Sequence, residues 1–212
     1  MQAEVLDYGI LAVASYLVGA IPFGLLIGFS RGVDIRTVGS KNIGATNVLR
    51  SVGKPWGIAT FLLDALKGFL PAFVFPMVGT RLGADFQGLE IAGLVGGVAA
   101  IVGHNFPVYL GFKGGKGVAT SAGAVLGLAP WVIAIGLAVW TLMFYSLRYV
   151  SLASIAGALA AVGAGWVLYR EQGLVLPIAF TVLGLLVILR HHANIKRLLN
   201  GTETRFVKKT DR

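Results

Sequence analysis

Long apolar runs separated by short polar stretches set the pattern of this chain. The runs cover 8–29, 56–79, 89–110, 151–169 and 173–189. Each is close to the ~20 residues that an α-helix needs to cross a bilayer core. A further apolar stretch, 118–147, has Gly127 and Pro130 near its first third. It reads either as one long tilted helix or as a short helix followed by a full one.

The distribution of positive charge separates these readings, because Lys and Arg concentrate on the cytoplasmic side. With two segments in 118–147 there are seven crossings and the N-terminus is outside. The cytoplasmic stretches 31–54, 111–117, Arg148 and the tail from Arg190 then hold 15 of the 18 Lys and Arg residues. With one segment the two sides hold eight and nine, which is no bias. The pattern therefore predicts an all-α integral membrane protein. It is a seven-transmembrane-helix bundle with 118–127 as a short half-helix and the C-terminus in the cytoplasm. The expected organisation is a single polytopic membrane domain over 1–212, with a short basic cytoplasmic tail from about 191. A half-helix of this length spans about half the bilayer core and needs neighbouring protein to cover its ends.

Composition narrows the chemistry. Of the 212 residues 56% are hydrophobic and 13% charged, and the mean hydropathy is +0.80. The net charge of +9 suits anionic lipid head groups and membrane orientation rather than nucleic acid. With no cysteine, thiolate catalysis and cysteine-ligated metals are excluded. Three histidines leave little material for a metal site. The first charges are Glu4 and Asp7, where a cleaved leader would carry Lys or Arg.

The polar segments carry the candidate chemistry, and all face the cytoplasm in this topology. In TVGSKNIGATNVLRSVGK, 37–54, Asn42, Thr46 and Arg50 share one face if 42–50 is helical. Asn47 lies beside them and Ser40 just before. A row of hydrogen-bonding groups ending in a guanidinium suits a phosphate or polyol; the bland alternative is a solvated loop. HNFPVYLGFKGGKGVAT, 104–120, sets Lys113 and Lys116 among Gly111, Gly114, Gly115 and Gly117. Glycines allow backbone N–H groups to converge on an anion, and a helix N-terminus at Val118 adds to this. The loop lacks the spacing of a nucleotide-triphosphate loop. The alternative is a tight turn with lysines on lipid phosphates.

Three further stretches matter. RYVSLASIAG, 148–157, places Ser151 at a helix start, as a substrate contact or an N-cap. RHHANIKRLLNGTE, 190–203, puts His191 and Asn194 on one face as the last span leaves the membrane; the alternative is an amphipathic interfacial tail. In LDALKG, 63–68, Asp64 and Lys67 stand one turn apart inside a span. Buried ionisable residues are costly there, so they read as a structural ion pair behind the site. Neither a Gly-x-Ser-x-Gly elbow nor a His-x4-Asp dyad occurs, and of the five aspartates only Asp64 is placed to partner a histidine.

SKNIGATNVLR, LDALKG, GHNFPVYLGFKGGKGVAT and HANIKRLLNGTE, in this order along the chain, resemble the bacterial membrane glycerol-3-phosphate acyltransferases that use acyl phosphate as donor. The resemblance covers essentially the whole chain. It implies a seven-helix fold in the bacterial cytoplasmic (inner) membrane, with the active site at the cytoplasmic face. It implies transfer of a fatty acyl group from acyl phosphate to the 1-hydroxyl of glycerol 3-phosphate, giving lysophosphatidic acid and phosphate, the first step of bacterial phospholipid synthesis. The implied partners are the two substrates and membrane lipids, with no metal or cofactor; nucleic acid and an obligate protein partner are not expected, and the chain is expected to be a monomer. Under this reading Lys113, Lys116, Ser151 and His191 are catalytic. Ser40, Asn42, Thr46, Asn47, Arg50, Gly111, Gly114, Gly115, Gly117 and Asn194 bind substrate, with the glycine loop on the acyl phosphate head group and Ser151 between the ligands. The missing dyad suggests that a substrate phosphate accepts the hydroxyl proton. The competing class is a small organic-phosphate transporter or channel, which should show repeat symmetry or polar groups throughout the membrane.

Overall fold

A computed structural model describes residues 2–206, and every regular element among them is helical. The chain packs as two compact units, Met1–Leu128 and Ala129–Arg212, where the hydropathy pattern alone suggests one continuous membrane domain.

In the first unit, α1 (Gln2–Ala20) gives way at Ile21–Pro22 to α2 (Phe23–Ser30), since Pro22 has no N–H to continue the ladder. A short α3 (Ala45–Ser51) leads into α4 (Lys54–Phe69). A wide turn over Leu70–Val74, where Phe75 N–H reaches back to the Leu70 carbonyl, joins α4 to α5 (Phe75–Arg81). Then come α6 (Leu89–Asn105) and the half-length α7 (Val118–Leu128).

Small residues decide how these helices meet. The buried face of α6 carries Ala92, Gly93, Gly96, Gly97, Ala100 and Gly103. A Cβ on Gly103 would run into the Tyr16 carbonyl of α1, and one on Gly96 into the Pro71 carbonyl of the wide turn. On α7, a Cβ on Gly123 would strike the Ala65 carbonyl of α4, and one on Gly68 the Thr120 carbonyl. Lipid is as apolar as leucine, so close backbone approach rather than hydrophobic burial drives such packing.

The second unit holds α8 (Pro130–Leu147), α9 (Val150–Tyr169), α10 (Val175–Arg190) and α11 (His192–Leu199). Gly136 of α8 and Gly157 of α9 face each other with no room for a side chain between them. The chain bends by 57° from α10 to α11.

The large apolar side chains point outward. Leu6, Ile10, Val13 and Leu17 on α1, and Ile178, Val182, Leu185 and Leu189 on α10, are exposed at helical spacing. Such stripes are the mark of lipid-facing surfaces. Among the described residues five helical segments are long and apolar enough to cross a membrane: Gln2–Ser30, Lys54–Arg81, Leu89–Leu110, Pro130–Leu147 and Val150–Tyr169. The bent pair Val175–Arg190 and His192–Leu199 makes a sixth if counted as one. Val118–Leu128 is apolar but has only 11 residues, and Ala129 separates it from α8, which begins at Pro130.

Candidate active site

The polar loop before α3 is built around Asn47. This side chain is buried at 2% exposure. Its amide nitrogen donates to the carbonyls of Ile35 at 2.8 Å and Asn42 at 2.9 Å, with Val38 at 3.2 Å. Its oxygen accepts from Ser40 N–H at 3.0 Å. Asn47 is thus engaged in holding the loop, which corrects its expected place among open ligand contacts. Asn42 lies before the helix rather than on it, and its Oδ1 accepts from Gly44 N–H at 2.9 Å, so the three-residue face of 42–50 is reduced to Thr46 and Arg50. These two stand one turn apart on α3, with Arg50 exposed and Thr46 half-buried. Ser40 is exposed at the loop surface.

The glycine loop uses its glycines for two different reasons. Gly111 and Gly117 take φ of 57° and 78°, the left-handed region that suits glycine. Gly114 and Gly115 are required by proximity instead. A Cβ on Gly114 would hit the His104 carbonyl and Pro107, and one on Gly115 the His104 imidazole. The backbone N–H groups of Gly111 through Gly115 do not converge on a common point. They donate to Val108, Pro107, Leu110, Asn105 and His104 carbonyls respectively. The groups left as candidates for an anion are the residues that follow, Lys116 and the first turn of α7. N–H groups in a first helical turn lack intrahelical acceptors and carry the positive end of the dipole. Lys113 is exposed; Lys116 is half-buried between buried Gly115 and Gly117.

Behind this loop lie Asp64 and Lys67, both almost fully buried, with Lys67 Nζ 2.9 Å from Asp64 Oδ1. Lys67 also donates to the Ile21 carbonyl, at the α1–α2 break, at 2.7 Å.

In the second unit the organising group is Glu203, which sequence reasoning left out of the candidate residues. Its carboxylate accepts from Ser151 Oγ and Asn194 Nδ2 on one oxygen and from Arg197 Nε on the other, each at 2.7 Å. Ser151 is not an N-cap, since Tyr149 holds that position. Its hydroxyl is tied to a residue 52 positions away. The signal in the sequence was a lone acid among the basic residues of 190–206. The segment is fastened further by Phe206 N–H to the Arg148 carbonyl at 2.9 Å and Arg205 Nε to the Leu147 carbonyl at 3.2 Å. His191 is buried, and its Nδ1 lies 2.7 Å from the Val187 carbonyl. A carbonyl can only accept, so the hydrogen sits on Nδ1, and in a neutral ring Nε2 is the acceptor nitrogen.

Burial of Glu203 works against its charge, but the hydrogen bonds from Ser151, Asn194 and Arg197 outweigh it and hold the carboxyl below its ordinary value. The folded protein thus prefers ionised Glu203 more than the unfolded chain does. The stability this adds is fully present above the unfolded-state value, about 4.3, and is lost as pH falls through the lower folded value. Thermal midpoints in detergent, followed from pH 7 to pH 3, should fall through this window. The step should be missing in Glu203→Gln.

Apolar helices of bilayer length, a basic glycine loop, and a carboxylate-ordered cluster of hydroxyl and amide side chains place the chain among integral membrane proteins with a polar candidate site. The chain belongs to the glycerol-3-phosphate acyltransferase family, whose model matches residues 9–201. It is 44% identical to the glycerol-3-phosphate acyltransferase of Aquifex aeolicus over 92% of this chain and 97% of that one. It is 46% identical to the enzyme of the same name from Desulfotalea psychrophila, over 92% and 96%. Among solved structures it resembles PlsY, an integral membrane glycerol 3-phosphate acyltransferase, in its glycerol 3-phosphate form. The TM-score is 0.84 at 42% identity, covering 94% of this chain and 96% of that one. The lysophosphatidic acid form of PlsY gives 0.81 at 41%, covering 94% and 95%.

Proposed function

We propose that this acyltransferase takes its acyl group from acyl phosphate, passes it to the 1-hydroxyl of glycerol 3-phosphate, and releases lysophosphatidic acid and phosphate. The observation that carries this reading is the cradle of Lys116 and the α7 N-terminus. It offers cationic and N–H groups where a phosphate leaving group needs charge neutralised. The names of the two PlsY forms, one with glycerol 3-phosphate and one with lysophosphatidic acid, agree with that acceptor and product. Acyltransferase relatives along nearly the whole chain set aside the transporter alternative.

In this reading Arg50 and Thr46, with Ser40 at the loop surface, hold the phosphate of glycerol 3-phosphate. His191, Asn194 and Ser151 of the second unit keep their expected part in substrate contacts. Asn42 and Asn47 shape the loop that presents Arg50. Seven crossings, with α7 as the half-length one and the N-terminus outside, bring the basic loops to the cytoplasmic face of the inner membrane, where both substrates are made. Acyl phosphate is an activated mixed anhydride, so proximity and charge stabilisation supply most of what the reaction needs. The protein works as a monomer, and a substrate phosphate takes the hydroxyl proton.

The direct test uses purified protein in detergent with palmitoyl phosphate and glycerol 3-phosphate, following free phosphate, with palmitoyl-CoA as control. Release that needs both substrates and ignores the thioester supports the donor; acylation from the thioester alone overturns it. A second result bears on the proton. His191→Ala should weaken glycerol 3-phosphate binding while kcat falls less than about tenfold, below the ~10²–10⁴-fold typical of a lost general base. Abolished turnover with unchanged binding would make His191 the base.

A further inference from the structure

Asp64 and Lys67 are absorbed by no step above, and His104 was not among the candidate residues. Their arrangement joins them to the glycine loop. His104 and Asn105 are the last two residues of α6, and both are buried, at 4% and 0% exposure. Their carbonyls accept from Gly115 N–H at 3.1 Å and Gly114 N–H at 3.2 Å. Their side chains lie under the same loop. The His104 imidazole occupies the space a side chain at Gly115 would take, and the Asn105 amide the space at Gly117. One dipeptide thus supplies both the acceptors and the floor on which the loop rests.

The imidazole is itself oriented from behind. His104 Nδ1 lies 3.7 Å from Asp64 Oδ1, and the same oxygen is 2.9 Å from Lys67 Nζ. Lys67 is in turn fixed to the Ile21 carbonyl. Two buried charges at membrane depth are costly to retain, and their cost is reasonable where they fix a geometry that an apolar pair would leave loose.

We propose that Asp64 and His104 are positioning residues for the acyl transfer: Asp64, braced by Lys67, sets the angle of the imidazole, and the imidazole sets the shape of Gly114–Gly115 and so the placement of Lys116 and the first turn of α7 on a substrate phosphate. The inference rests on the reading that this loop binds a phosphate. It holds whether that phosphate is the donor's or the acceptor's. Neither Asp64 nor His104 touches substrate, so their loss misplaces a binding group rather than removing one. A misplacement of about 1 Å is enough for a loss on the order of a hundredfold.

The test is a double-mutant cycle with KM and kcat measured separately for both substrates. Calorimetric binding of glycerol 3-phosphate alone forms a separate arm. Gly115→Ala inserts a methyl against the imidazole and leaves the Asp64–Lys67 pair untouched. It should raise one KM, the one belonging to the phosphate the loop holds, by about tenfold or more, with kcat and the other KM little changed. His104→Asn lacks reach to Gly115, and should act in the same direction. His104→Gln, whose amide extends to the Nε2 position, should be milder. Gly115→Ala combined with His104→Ala should be less impaired than Gly115→Ala alone, because the methyl then fills vacated space.

An additive or worse double mutant, a loss confined to kcat, or wild-type constants in Gly115→Ala would overturn the proposal. If the histidine variants lose their fold in detergent, wild-type constants in Gly115→Ala still overturn the proposal. Failure of the donor reading is seen separately, as wild-type protein that does not use palmitoyl phosphate. The calorimetric arm still reports the loop in that case.

Discussion

Lys116→Ala should lower kcat/KM by about 10²–10³, the range seen when one group stabilising transition-state charge is removed, while Lys113→Ala should cost far less. The structure separates two lysines that look equivalent in KGGK. Lys113 is exposed at the tip, where solvent screens its charge. Lys116 is half-buried between two buried glycines, with Gly117 alone between it and α7, so its charge adds to the helix N-terminal field. Steady-state rates with palmitoyl phosphate, measured at two ionic strengths, check both parts. The Lys116→Ala loss should persist in salt, and the smaller Lys113→Ala loss should shrink. Equal losses would place the phosphate at the loop tip.

Glu203→Ala should have the second large effect, on stability as well as rate. It removes one acceptor and leaves three donors, Ser151, Asn194 and Arg197, without it. Arg197 is half-exposed and solvent screens its loss of a partner, whereas stranded neutral donors cost about 1–3 kcal/mol each where water does not reach them. Glu203→Gln keeps an acceptor oxygen and should recover part of both. The thermal midpoint in detergent and kcat/KM should therefore fall in the order wild type, Gln, Ala. A stable Ala variant with wild-type turnover would mean that Ser151 and Asn194 hold their places without Glu203.

The all-helical fold was legible because bilayer thickness acts on every span alike, and apolar runs of the right length report it directly. Even the weak point at 118–147 was readable from Pro130, where α8 begins. The site was legible only in part. Residue type announced Arg50 and the lysine-glycine loop, since few jobs other than anion binding need them together. It did not announce burial. Asn47 looks like a ligand contact in sequence, and only the fold shows its amide turned onto three carbonyls of its own loop. Glu203 and His104 were missed for a different reason. Their meaning lies in partners 52 residues away, for Glu203 with Ser151, or on another helix, for His104 with Asp64. No local spacing records such distances. Gly114 and Gly115 show the same limit: their presence was plain, but the imidazole and carbonyl that forbid a Cβ there were not.

The shortness of α7 has a bearing on how the protein is made. Eleven residues span about 16 Å, too little to leave the ribosome and settle across lipid unaided. The segments that receive it, Ala65 and Gly68 of α4 and the Gly97 face of α6, all precede it in the chain. By the time α7 is synthesised its socket has already been delivered to the membrane. The order of the helices along the gene is then part of the assembly instructions, and a permuted chain that began with α7 would ask the insertion machinery to place a segment with nowhere yet to go.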